Sequence, residues 1–209
     1  MYAITHAATA LLLKRGFPGA ALWPLLISVQ AVELLWVIFV YTGIEHVTYT
    51  RDSVHLAFLP YSHSIATAFL LATICWVVLR RGGERSSLAL AVAIGVVSHI
   101  VLDVIHHEPD IALLPLPSGP RFGLGLMLHP AADLIVELLY GIACWFIFRG
   151  SLALLAAIVV FNLLDAPLMF PRPGMGASLA QHAAVLPTVI LIQIIATWVA
   201  VRLWARRRA

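Results

Sequence analysis

Charge is scarce in this chain. Of 209 residues only 11% are Asp, Glu, Lys or Arg, against 62% hydrophobic, and the mean hydropathy is +0.97. A water-soluble domain of this length has no means of hiding so much apolar surface. Cysteine is almost lacking too: Cys75 and Cys144 both lie inside apolar runs. They read as small buried hydrophobes, at a spacing that fits neither a redox nor a metal motif. Also missing are an internal repeat, a low-complexity tail and a convincing cleavable signal. The apolar stretch before Lys14 is short, lacks a basic start and is followed by no clean small-residue cleavage motif.

What remains is a chain whose solvent is lipid, with a backbone that must be helical or a closed barrel. Apolar runs of about twenty residues favour helices, since roughly that number crosses the hydrocarbon. The sequence predicts an all-α polytopic bundle, a single membrane domain over 1–209. About six transmembrane helices are expected, at about 20–43, 62–80, 87–106, 130–149, 151–170 and 184–204. Residues 2–13 are too short to cross and predict an N-terminal half-helix, re-entrant or interfacial. Turn chemistry at Gly16-Phe17-Pro18-Gly19, Gly82-Gly83, Gly150-Ser151 and the proline-rich stretches 115–120 and 171–174 separates these segments.

Basic residues orient the bundle. Lys14, Arg15, Arg80, Arg81, Arg85, Arg149, Arg202, Arg206, Arg207 and Arg208 fall on one side, and Arg51, Arg121 and Arg172 on the other. The positive-inside rule makes the first side cytoplasmic, with both termini there. The Arg206-Arg207-Arg208 run requires no nucleic acid, because anchoring at an anionic membrane face explains it. The same topology gathers the acids and histidines on the opposite half. There Glu45, His46, Asp52 and His55 occupy one loop, and His107, Glu108, Asp110 and His129 another.

Ionisable residues inside the apolar runs carry the most information. Each costs about 2.5–3.5 kcal/mol at mid-helix on insertion scales, so each requires a partner or a function. His99 and Asp103 stand four residues apart and share a helix face, which His106 or His107 extends by a turn. Imidazole and carboxylate at that spacing suit a divalent metal: zinc first, manganese or iron as alternatives. The bland reading is that Asp103 only hydrogen-bonds His99. His63 begins the second span, a normal place for histidine, but a short turn joins spans two and three and brings it near His99 and Asp103. Glu33 sits near mid-membrane and fits a ligand or general base better than a lone interhelical hydrogen bond. Asp133 and Glu137 repeat the four-residue spacing. Asp133 reads as a helix-start acid, favourable at a positive dipole end, whereas Glu137 has no such reason to be there. Asp165, before Ala166-Pro167, reads as structural.

Ile4-Thr5-His6, Tyr61-Ser62-His63-Ser64 and Ser98-His99-Ile100-Val101-Leu102-Asp103 together resemble, in order and spacing, a bacterial inner-membrane family known as membrane-bound metal-dependent hydrolases. Its type is a LexA-regulated inner-membrane protein. The likeness covers roughly residues 1–115. Where that family carries Pro-Asp-x-Asp, this chain has Gln30-Ala31-Val32-Glu33, so one acid is kept in kind and one is replaced by an amide. The resemblance implies a metal site drawn from His6, Glu33, His63, His99 and Asp103.

The expectation is therefore a bacterial inner-membrane enzyme in which His63, His99 and Asp103, with His6, hold a metal that activates water, while Glu33 or Glu137 acts as base or further ligand. A site beneath the surface implies a lipid or amphiphilic ester or phosphoester reached from an outward-facing cavity. The competing readings are an ion- or proton-coupled transporter using the same groups and a non-enzymatic accessory subunit.

Overall fold

The structure, a computed structural model, describes residues 1–49, 54–84, 86–116, 118–182 and 184–205. Arg51, Asp52, Arg85 and Arg206, Arg207 and Arg208 lie outside the described residues, as do Pro117 and the side chain of His55. The fold is all-helical: α1 Ala3–Gly16, α2 Leu22–Ser28, α3 Ala31–Tyr41, α4 Ile65–Arg81, α5 Ser86–His106, α6 Pro130–Phe148, α7 Leu152–Met169, α8 Met175–Ala180 and α9 Val185–Trp204. Two small antiparallel hairpins join these, β1 His46–Tyr49 with β2 Val54–Phe58, and β3 Ile111–Ala112 with β4 Arg121–Phe122.

Local chemistry explains the ends. Ser64 caps α4 by accepting from the Thr67 amide at 3.1 Å, and Ser151 caps α7 by accepting from the Leu154 amide at 3.2 Å. Pro130 starts α6, where its missing N–H would have had no intrahelical partner. Gly83, at φ +82°, turns the chain between α4 and α5.

Four helices, α5, α6, α7 and α9, are long and apolar enough to cross a membrane, and α2 with α3 makes a fifth if the bent pair counts as one span. The second expected span is α4, which at 17 residues is shorter than these four. The first expected span is broken rather than continuous: its axis turns by 53° around Val29 and Gln30. The polarity of the bundle is inverted relative to a soluble protein. Leu70, Val78, Leu139, Phe146 and Leu152 are exposed, whereas His6, Gln30, His99, Asp133, Glu137 and Asn162 are buried. Helices also approach closely at small residues, as membrane helices do. A Cβ on Gly95 of α5 would collide with Ser28 of α2, and one on Gly141 of α6 would lie 2.6 Å from Ile158 of α7.

The largest departure from expectation is α1. It is neither interfacial nor peripheral but the buried centre of the bundle, in contact with α2, α5, α6, α7 and α9. Ile4, Ala7, Ala10 and Leu11 form its core with Leu25, Leu26, Leu154, Ile158 and Val201. Its small, apolar composition permits contact on every side, and that places Thr5 and His6 among the buried acids of α5 and α6.

Candidate metal centre

α5 contributes His99 and Asp103 to this site from one face, as their four-residue spacing dictates. α3 contributes Glu33 from its first turn, just after the break. The segment before α4 contributes His63, and α1 contributes His6. Side chains expected at the site from separate parts of the sequence thus meet in one place.

The distances are short and numerous. His99 Nε2 lies 3.0 Å from Asp103 Oδ2 and 3.6 Å from Glu33 Oε2, and His63 Nε2 lies 3.2 Å from Glu33 Oε2 and 3.7 Å from Asp103 Oδ2. Although only 3.0 Å apart, His99 Nε2 and Asp103 Oδ2 are oriented so that neither makes a hydrogen bond, and both are buried. Four ligand atoms about 2.1 Å from one tetrahedral ion would stand about 3.4 Å apart. The four observed separations, 3.0–3.7 Å, bracket that value. The residues form two overlapping sets that share His99, Glu33 with His63 and Asp103 with His6, each with ligand atoms within 4.8 Å of one another. The donor set, two imidazoles and two carboxylates, also fits a first-row divalent ion.

The surroundings decide which ring nitrogens are free. His99 Nδ1 is 2.8 Å from the Val29 carbonyl. A carbonyl only accepts, so Nδ1 donates, and Nε2 is the nitrogen left facing Asp103 and Glu33. The break between α2 and α3 makes this possible, because it leaves that carbonyl accessible. His63 is set by a longer chain. Glu45 Oε2 accepts from Ser62 Oγ at 2.5 Å, which uses the only hydroxyl proton, so Ser62 Oγ accepts from His63 Nδ1 at 2.8 Å. With Nδ1 donating to Ser62, Nε2 is the nitrogen that faces Glu33 Oε2, at 3.2 Å, and the one a metal would take in place of its proton. Glu45 itself is anchored by the amides of Tyr61 and Ser62, both at 2.8 Å. Such carboxylate-supported orientation is typical of metal-binding histidine.

Glu45 was missed at the sequence level, where it reads as one acid of an outer loop. It is fully buried. The available signal was its distance of 18 residues from His63 across a hairpin, which only the pairing of β1 with β2 turns into proximity.

His6, expected at the site, joins His99 and Asp103 in one of the sets whose ligand atoms lie within 4.8 Å of one another. Its ring stacks on His99 with centroids 3.9 Å apart and a 12° interplanar angle. Its Nε2 is 3.1 Å from the Met1 carbonyl and therefore a donor, and it lies 3.2 Å from Asp103 Oδ1, the oxygen that also accepts from the Met1 nitrogen at 2.8 Å. His6 thus steadies Asp103. Glu137 falls outside both sets: it groups with Asp133 and His106. Asp165 accepts from Gln193 Nε2 at 2.5 Å and ties α7 to α9, in keeping with a structural role.

A cavity of about 430 Å³ lies against these groups. Its polar part includes Glu33, Asp103, His106 and Asp133, and its apolar wall includes Leu168, Met169, Leu186 and Ile190. Glu33 is 20% exposed, whereas the side chains of His63, His99 and Asp103 are at most 4% exposed. Buried His, Asp and Glu clusters able to bind a metal are therefore present beside a cavity of mixed polarity. The chain matches no protein-family model, no curated protein and no solved structure.

Proposed function

We propose that the protein is a membrane-embedded metal-dependent hydrolase acting on a lipid or another amphiphilic ester or phosphoester. One observation carries this reading: the ligand atoms of Glu33, His63, His99 and Asp103 converge at metal-ligand separations beside a cavity with a polar floor and an apolar wall. His63, His99 and Asp103 hold the ion, with zinc the first choice and manganese or iron the alternatives. When bound, such an ion polarises the scissile group and acidifies water. Glu33, the member of the set that reaches the cavity, accepts the proton of the attacking water and delivers it to the leaving group. The apolar wall holds the acyl or alkyl part of the substrate. The resemblance to the bacterial membrane-bound metal-dependent hydrolases supports the same reading, and with it a bacterial inner membrane.

Detergent-solubilised protein should cleave a chromogenic long-chain ester or phosphodiester in preference to its short-chain counterpart. A chelator should abolish turnover and zinc or manganese restore it. Glu33→Gln should lower kcat by about 100-fold or more, the usual range for a lost general base. Metal-loaded protein inert toward both substrate classes would overturn the proposal.

The break in α2–α3 beside Glu33 also favours a second reading, an ion-coupled transporter, since discontinuous helices line the ion sites of such proteins. Metal-dependent ion flux in proteoliposomes without hydrolysis would establish it instead.

The orientation, with the basic ends of α1, α4 and α9 cytoplasmic, follows from the ten-to-three partition of basic residues, whereas the Met1 end of α1 is buried at Asp103 rather than at that face. Reporter fusions after Arg85 and after Arg121 should report opposite compartments. The same compartment for both would refute it.

A further inference from the structure

One turn beyond Asp103 on α5, His106 faces two carboxylates of α6. Its Nδ1 is 3.2 Å from Asp133 Oδ1 and 3.7 Å from Glu137 Oε1. All three residues are buried, Glu137 completely. Their ligand atoms lie within 4.8 Å of one another. Asp133 stands in the first turn of α6, as expected of a helix-start acid, but it is 1% exposed and turned inward.

The charge balance of this cluster is the telling feature. No lysine or arginine pairs with Asp133 or Glu137 among the described residues; their ion-pair partner is His106 alone. Glu137 accepts from Thr5 Oγ1 at 2.5 Å and from the Tyr2 amide at 3.2 Å. The Met1 ammonium that reaches this region is bound to Asp103 Oδ1 at 2.8 Å, and beyond it Asp133 and Glu137 share a single imidazole, an arrangement that a divalent ion would complete. The geometry is also fixed. Tyr2 packs edge-on against the His106 ring at a centroid distance of 5.5 Å, and consecutive backbone nitrogens of Met1 and Tyr2 bridge Asp103 to Glu137. His106 and Asp133 both line the cavity, so a cation here faces the same space as the first.

We propose that His106, Asp133 and Glu137 form a second divalent-cation site, beside the His63–His99–Asp103 site and open to the same cavity. With two carboxylates and one imidazole it is harder in character than its neighbour, which favours manganese or magnesium over zinc. A cation beside a hydrolytic metal draws an anionic substrate group, which selects a phosphoester over a neutral carboxyl ester. This last step rests on the hydrolase reading; the binding site does not.

The probe is Mn²⁺, titrated into metal-stripped protein in nanodiscs and read by electron paramagnetic resonance, with elemental analysis of the washed sample. Wild type should bind about two ions per chain. Asp133→Asn and Glu137→Gln, made separately because both preserve shape, should each weaken one of them at least about tenfold, while Asp103→Asn weakens the other. Unchanged Mn²⁺ binding in both α6 variants would overturn the second site, and the first would stand if Asp103→Asn alone removed an ion. Loss in the α6 variants with none in Asp103→Asn would support the second site and sink the first. Binding stoichiometry is read whether or not any substrate is cleaved.

Discussion

Substituting Asp103→Asn is expected to remove one divalent ion per chain and to lower any metal-dependent turnover by about 100-fold or more, the scale of losing a metal that supplies Lewis acidity worth several kcal/mol. The substitution keeps volume and shape, and an amide still accepts from the Met1 nitrogen and from His6. What it cannot do is present an anionic Oδ2 to the point at which the Nε2 atoms of His63 and His99 are aimed. His99→Ala should empty the same site, with an added penalty. It removes the ring that His6 stacks on and leaves the Val29 carbonyl without its donor, a buried loss of about 1–3 kcal/mol. Thermal stability should therefore fall further for His99→Ala than for Asp103→Asn, while metal content falls equally. Elemental analysis and thermal unfolding of the two variants check both parts. An unaltered ion count in each would mean that these residues only pair with one another.

Glu45→Gln should weaken metal binding by about 10- to 100-fold although Glu45 touches no ligand atom, the range measured for supporting partners of metal-bound histidine. The glutamine amide donates to Ser62 Oγ instead of accepting from it. Ser62 must then give its own proton to His63 Nδ1, which drives the ring proton onto Nε2, where it blocks coordination. The expected readout is a raised Kd for the ion together with a changed His63 tautomer in nitrogen NMR. Ser62→Ala should reproduce the weaker affinity. A Kd equal to wild type in both variants would show that the hairpin acid has no influence on the site. This expectation reverses what the linear sequence suggests, where an outer-loop glutamate is expendable.

The sequence made the helical class legible because composition and run length answer to one physical requirement, satisfaction of backbone groups in lipid. It made His99 with Asp103 legible because helical periodicity alone brings residues four apart onto one face. The centre's other half depended on tertiary facts. Glu45 reaches His63 only through the bulged hairpin of β1 and β2. Glu33 reaches His99 only because the first apolar run bends at Val29, and no proline or glycine stands at Val29 or Gln30 to announce the bend. Asp133 was hidden by a rule that works on average, since acids at helix starts usually need no further reason. The position of α1 was concealed most completely, because an apolar helix of 14 residues has the same periodicity whether it lies on a membrane surface or is enclosed by five neighbours.

That enclosure has a consequence for biogenesis. α1 precedes in the chain every helix that surrounds it, so the segment synthesised earliest among them must wait for its own walls. Until α5 and α6 close against it, Thr5 and His6 have no settled surroundings, and Glu137 and Asp103 lack the donors that α1 brings. The polar centre thus matures only when α6 is in place, and a polypeptide stalled before α6 would carry the acids and imidazoles of α3 and α5 without the partners that complete them.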